Sequence, residues 1–162
     1  MTPKEFTDKY LPYAKQDTTI PYKLTLAQAA LESGWGEHSP QHNFFGIKCG
    51  KTWEGKKQLL TTTEIHDSVN VKYPEVISIQ TLNNGKFKYR VKDCFRAYDS
   101  PLDSFKDHNE LLLKNWKSCI TTDALQTITN IQYSPKKYAT DPNYVSMISK
   151  IIKMIEKYDE VV

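Results

Sequence analysis

Apolar positions along this chain follow two periods. Thr2-Pro3-Lys4-Glu5 joins a capping side chain, a proline at the first helical position and a glutamate three residues after the cap. A first helix is therefore predicted from about Pro3 to Lys15, burying Phe6, Tyr10 and Ala14. After a turn at Ile20-Pro21, the residues Leu24, Ala27, Gln28 and Leu31 recur at i, i+3, i+4 and i+7, one stripe of a second helix facing a core. Ser33-Gly34 supplies its stop, because glycine accepts the left-handed conformation just past a helix end. Gly36, Ser39-Pro40, Gly46, Gly50 and Gly55 break any longer periodicity, so residues 36–62 are predicted to be irregular.

The period then changes to two. Residues 76–82 and 86–92 alternate about Asn83-Asn84-Gly85, a hairpin signal. A three-residue loop with Gly85 left-handed pairs Thr81 with Phe87, Ile79 with Tyr89 and Ile77 with Val91, whereas a two-residue loop would set Gln80 against Tyr89. The first register is predicted because it matches apolar faces, and it leaves Lys86, Lys88, Arg90 and Lys92 on a solvated face. Helices resume at Ser100-Pro101-Leu102-Asp103 and run to about Asn115. A shorter one is expected over Asp123 to Asn130, and the last from Asp141-Pro142, with Tyr144, Ile148, Ile151, Ile155 and Tyr158 on one stripe. The pattern predicts an α+β fold in which a small antiparallel sheet is inserted between helices, as one domain over residues 1–162 with the sheet region at roughly 58–98.

Bulk properties narrow the function without choosing it. A chain of 162 residues that is 39% hydrophobic can bury a real core. Its net charge of +3 is too small to argue for a nucleic-acid partner. No apolar run approaches the roughly 18–20 residues of a membrane span, so no membrane insertion is expected, and the N-terminus M-T-P-K-E-F-T-D lacks the apolar core of a signal peptide. A monomer is expected. Cys49, Cys94 and Cys119 are odd in number and lack C-x-x-C spacing; three reduced thiols are expected, with one disulfide plus a free thiol as the alternative. His38 and His42 are four apart, but Gly36 and Ser39-Pro40 argue against a helix that would align them, so no metal site is expected. Neither is a cofactor, since no glycine-rich phosphate loop is present.

Candidate chemistry centres on Glu32. It falls in the last turn of the second helix, where the carbonyl end carries partial negative charge, and it adjoins the apolar Leu31 and Trp35. Dipole and desolvation both favour its protonated form, which is what a general acid requires. Cleavage of a glycosidic bond would ask for a second carboxyl in a different environment. Glu64 in T-T-T-E-I is the first candidate, with Asp67 behind it. Trp35, Phe44, Phe45, Trp53, Tyr133 and Tyr138 lie in loop-like stretches, and two or three of them are expected to line a cleft where sugar C–H faces could stack.

Several blocks together resemble the peptidoglycan-cleaving β-N-acetylglucosaminidases of glycoside hydrolase family 73. They are A-Q-A-A-L-E-S-G-W-G (27–36), N-F-F-G-I-K (43–48), W-E-G (53–55), T-T-E (62–64), F-R-A-Y-D-S (95–100) and Y-A-T-D-P-N-Y (138–144), in the family's order. The resemblance implies a lysozyme-like fold, with a catalytic glutamate at a helix end in the helical lobe and a β-lobe alongside. It implies the glycan strand of peptidoglycan as substrate and endo-β-N-acetylglucosaminidase activity, with a muramidase, a lytic transglycosylase or a non-catalytic wall-binding module as rivals. Glu32 matches the general acid and Glu64 the β-lobe carboxylate. Tyr138 matches a tyrosine near the acid; Asn43, Phe44, Trp35 and Tyr144 are expected to bind substrate. Action at the bacterial cell wall or periplasm follows, and without a signal peptide the expected routes are a shortened chain, a phage-type lysin or a secreted effector.

Overall fold

A computed structural model describes residues 1–159. Five α-helices and three strands follow in the order α1 (Pro3–Ala14), α2 (Tyr22–Ser33), β1 (Lys57–His66), β2 (Glu75–Thr81), β3 (Phe87–Arg96), α3 (Pro101–Trp116), α4 (Ala124–Tyr133) and α5 (Tyr144–Tyr158). This is the α+β class expected. Contacts divide the chain into a helical unit, Met1–Gly46 with the chain from Tyr98 on, and a sheet unit, Ile47–Ala97.

In the helical unit the caps are those the sequence proposes. The Thr2 hydroxyl accepts from Glu5 N at 3.1 Å while Thr2 N donates to the Glu5 carboxylate, and Ser100 accepts from Asp103 N at 3.1 Å. Each such cap contributes about 1 kcal/mol. Asp123 caps α4 in the same way; α5 starts at Tyr144, two residues after the proline proposed to open it. α2 departs further from expectation. Every residue from Leu24 to Ala30 is buried, because α1, α3, α4 and α5 all pack on it. The helix is thus enclosed on all sides rather than presenting one stripe, and its small residues Ala27, Ala29 and Ala30 let its neighbours approach closely. Leu24, Leu26, Phe105, Ile128 and Ile148 complete this core, where truncation to alanine costs about 2–5 kcal/mol.

The sheet unit has strand order β1-β3-β2, all antiparallel. Thr81 pairs with Phe87 and Ile79 with Tyr89, as face matching requires, and Gly85 takes φ +81°. The third expected pair fails. A bulge between Val76 and Ser78 sets Val76, not Ile77, against Val91. β1 is also earlier than expected: Lys57–Thr62 form strand, not irregular chain, since pairing with β3 supplies the order that local composition lacks. Its alternate residues, Gln58, Leu60, Thr62, Glu64 and His66, lie on the more covered face, and Lys88, Arg90 and Lys92 of β3 lie on the open one.

The expectation of three reduced thiols is corrected. Cys49 and Cys94 form a disulfide with Cα atoms 5.5 Å apart, and Cys119 is free. Cys49 N donates to Cys94 O at 3.0 Å and Lys48 bridges to Phe95, so backbone pairing brings the sulfurs together across 45 residues of sequence. An odd cysteine count with no short spacing hides such a pair. Among the described residues no helix is long and apolar enough to cross a membrane.

Candidate active site

α2 ends in a tight reversal. Gly34, Trp35 and Gly36 take φ values of 57°, 57° and 85°, three left-handed residues in succession. Trp35 N donates to Ala30 O at 2.8 Å and His38 N to Ser33 O at 2.8 Å, so the helix end is closed by its own turn. Glu32 is left on the last turn, at the wall of a cavity of about 540 Å³ lined also by Leu31, Phe45, Tyr138, Ala139, Thr140, Asp141, Tyr144 and Met147.

The carboxyl of Glu32 sits above the ordinary glutamate value, chiefly because these walls displace water; the hydrogen bond that Tyr144 can donate to the ionised carboxylate opposes the shift. The cavity is open, so the residue is exposed overall, and the desolvation comes from the aromatic walls rather than from enclosure. Tyr144 is 3% exposed, and its hydroxyl is 3.3 Å from Glu32 Oε1. Tyr138 stacks on Tyr144 with ring centres 5.7 Å apart, and burial raises both phenols, so both stay neutral.

A buried polar chain lies behind this wall. As placed, Gln28 Nε2 donates to the Tyr144 hydroxyl at 3.1 Å, and Gln28 Oε1 lies 2.7 Å from His108 Nε2. His108 Nδ1 is 2.9 Å from Asn109 Oδ1, which also accepts from the Thr25 hydroxyl at 2.8 Å. Phe45 stacks on the imidazole at 4.1 Å, and burial pushes His108 down to about 4. Both ends of this chain come from helix positions: Gln28 from the middle of α2, and His108 and Asn109 from the buried side of α3 beside Phe105 and Leu112.

The expected site residues divide sharply. Glu32, Tyr138 and Tyr144 come together, and of the loop aromatics Phe45 joins them. Phe44 does not: at 1% exposure it packs among Phe6, Tyr10, Phe45 and Phe105 and has no surface to offer a sugar. Asn43 is likewise buried, at 3% exposure. Trp35 packs edge-on against Phe6 at 5.7 Å and is not among the cavity's lining residues. None of these three lines the Glu32 cavity. Tyr133 is 83% exposed and lines a second cavity, of about 300 Å³, that shares Ala139, Thr140 and Asp141 with the first.

Sequence reasoning missed Phe45 as a specific lining residue, and it missed His108, which completes no motif. A signal was present for the second. His108 and Asn109 sit on the same helical stripe as Phe105 and Leu112, and a polar pair on an apolar stripe demands buried partners.

Glu64 belongs to the sheet unit. On the covered face of β1 it accepts from Lys48 Nζ at 2.6 Å, and Lys48 also meets Asp93 at 3.1 Å. Burial alone would lower the Lys48 ammonium, but the two carboxylates outweigh it and hold it above its usual value. Asp67 pairs loosely with Lys86 at 3.8 Å and is largely exposed.

Comparison with known proteins bears on the family. The model of the family "Mannosyl-glycoprotein endo-beta-N-acetylglucosaminidase" matches residues 9–160. The peptidoglycan hydrolase FlgJ of Salmonella typhimurium is 33% identical over 155 residues, covering 91% of this chain and 43% of that protein. The exo-glucosaminidase LytG of Bacillus subtilis is 29% identical, covering 85% of this chain and 46% of that protein. The chain thus spans less than half the length of these curated relatives. No solved structure gives a significant match. A match over nearly the whole chain, from the first helix to the last, establishes that this protein belongs to the glucosaminidase family, glycoside hydrolase family 73.

Proposed function

We propose that this chain hydrolyses β-1,4 bonds of the peptidoglycan glycan strand as an endo-β-N-acetylglucosaminidase, with Glu32 as the general acid. The observation that carries the proposal is Glu32 itself, a helix-end carboxyl in an aromatic-walled cavity whose desolvation favours the protonated form. The names of the relatives, peptidoglycan hydrolase and glucosaminidase, support this substrate class and action at the cell wall.

In this reaction the Glu32 proton passes to the glycosidic oxygen as the bond to the anomeric carbon breaks, so the departing sugar leaves as a neutral alcohol. Positive charge develops on the sugar ring. Glu64 is the protein's candidate to offset it, and the N-acetyl group of the substrate is the other. Water then adds its hydroxyl to the anomeric carbon and returns a proton to the ionised acid. Tyr138 and Phe45 present apolar ring surface along the cavity for the sugar faces.

The test is digestion of purified peptidoglycan by wild-type and Glu32→Gln protein, with mass spectrometry of borohydride-reduced products. Reduced N-acetylglucosamine ends on fragments longer than a disaccharide, made at least about 100-fold more slowly by the variant, are expected. Wild-type activity in Glu32→Gln would remove the acid assignment. Reduced muramic ends or anhydro ends would move the chain to the muramidases or transglycosylases, and release of terminal units alone would make it an exo-acting enzyme, as the name of the Bacillus relative describes.

A further inference from the structure

Beyond the acid itself lies a question of proton direction. Asn109 is the fixed end of the buried chain: its Nδ2 faces the backbone carbonyl of Asp17 at 3.4 Å, an acceptor only, so its Oδ1 must be the atom turned to His108. His108 Nδ1 therefore carries the hydrogen and donates it. At 1% exposure, stacked on Phe45, and with no carboxylate bonded to either ring nitrogen, the imidazole holds only one hydrogen, which makes Nε2 an acceptor.

The consequence passes to Gln28. The oxygen and nitrogen of a side-chain amide are distinguished by their partners alone. As placed, the Gln28 amide oxygen faces Nε2 at 2.7 Å and its nitrogen faces the Tyr144 hydroxyl at 3.1 Å, which sets two acceptor oxygens against an imidazole holding one hydrogen. An accepting Nε2 calls for that amide to be turned over, its nitrogen toward His108 and its oxygen toward the Tyr144 hydroxyl. Tyr144 then donates to Gln28. Its own oxygen, 3.3 Å from the Glu32 carboxyl, is left to accept, and among the described residues the donor that meets it there is the acid proton of Glu32.

We propose that Gln28 and His108 are positioning residues which, through Tyr144, hold the Glu32 carboxyl in its protonated form and aim its hydrogen-bonding edge. The proposal rests on Glu32 being the acid of the reaction above. It explains why a fully buried glutamine sits in the middle of the most enclosed helix, and why a histidine with no role in the chemistry is kept neutral behind the site. When Glu32 gives up its proton, rotation of the Tyr144 hydrogen from Gln28 to the new carboxylate stabilises the anion, so one hydroxyl serves both states. His108's low tendency to protonate, at about 4, accords with the single hydrogen assigned to it.

Among the described residues, titratable groups facing this buried chain are few. They are Tyr138, Tyr144 and Asp141 around the Glu32 cavity, Asp107 on α3 beside His108, and Asp17 ahead of α2.

Two measurements on the whole chain decide the matter. Long-range proton–nitrogen correlation NMR of wild-type protein reads the His108 tautomer without any variant and without substrate. A neutral imidazole protonated on Nδ1 across pH 5 to 8 is expected; an Nε2–H tautomer or an imidazolium at pH 7 overturns the proposal. Carbon-detected titration of Glu32 in folded Gln28→Leu, in which Tyr144 can donate only toward Glu32, is expected to show the carboxyl titrating about one unit lower, tenfold in protonated fraction. An unmoved or raised titration overturns it as well. Neither readout requires glycosidase activity, so a failed digestion would strike the functional proposal and leave these outcomes separately legible.

Discussion

Removing the Cys49–Cys94 pair tests how the sheet unit is held together. Replace both cysteines with alanine in a Cys119→Ala background, so that no thiol chemistry remains. The bond closes a loop over 45 residues of sequence, containing β1, β2 and most of β3. For a loop of that length the chain-entropy relation gives about 13 cal/mol/K of unfolded-state freedom restrained, or about 4 kcal/mol at 25 °C. At roughly 2–4 °C per kcal/mol for a chain of this size, the melting temperature should fall by roughly 8–16 °C. Guanidinium unfolding followed by circular dichroism and tryptophan fluorescence reads the same quantity. The native backbone bonds that flank the bridge, Cys49 N to Cys94 O and Arg96 N to Ile47 O, remain available and keep the folded geometry. The loss should therefore appear in stability more than in the folded spectrum. A change below about 1 kcal/mol would refute the reasoning, because it would mean the unfolded chain gains no freedom when the link is cut.

Further outcomes follow from single residues. In the folded chain His108 is pushed down to about 4, below its ordinary 6.5, so the stability its neutrality confers is present above pH 6.5 and is lost as pH falls toward 4. Wild type should lose about 3 kcal/mol more than folded His108→Gln between pH 7 and pH 4 in urea midpoints, and equal slopes would count against the burial cause. Gly85→Ala meets no neighbouring atom within 4 Å, so its cost is backbone strain at φ +81° alone, about 1–2 kcal/mol in denaturant unfolding; unchanged stability would contradict the left-handed turn. Since desolvation lifts Glu32 above 4.5, the basic limb of the pH–rate profile should lie above that value and move with Glu32, not with His108.

Helix starts, the hairpin and the helix-end position of the Glu32 carboxyl were legible in the sequence because each is decided within a few residues. Thr2, Ser100 and Asp123 cap the backbone three positions ahead, Gly85 takes the one conformation its turn needs, and Gly34 stops α2 beside Glu32. What stayed hidden depends on partners far away in the chain. β1 is strand because β3 pairs with it, the disulfide exists because Lys48 bridges Phe95, and Phe44 is core because α1 and α3 supply Phe6, Tyr10 and Phe105. The resemblance carried N-F-F-G as one groove-shaping block, yet the chain splits it: Phe44 turns into the core while Phe45 lines the Glu32 cavity. Adjacent residues can be separated in this way only by tertiary packing, which no local pattern contains.

The helix end explains why burial rather than the macrodipole governs Glu32. A carboxylate at a carbonyl terminus is opposed by the unsatisfied carbonyls there, an effect of about 0.3–1 kcal/mol when they are bare. Here they are not bare. Ser33 Oγ donates to Ala29 O at 2.5 Å, Trp35 N to Ala30 O at 2.8 Å, Gly34 N to Leu31 O at 3.4 Å and His38 N to Ser33 O at 2.8 Å. Four donors closing that turn reduce the local field, and they require the left-handed run through Trp35, a conformation that costs a non-glycine residue about 1–3 kcal/mol. Trp35 is kept in place by its edge contact with Phe6, so the residue first suspected of desolvating the acid instead anchors the reversal that presents it. The acid's environment is then set by what rises on the other side of the cavity, Tyr138 and Tyr144, with Gln28 and His108 behind them. Sequence position makes Glu32 available; the aromatic wall and the buried polar chain set the environment in which the proposed acid would work.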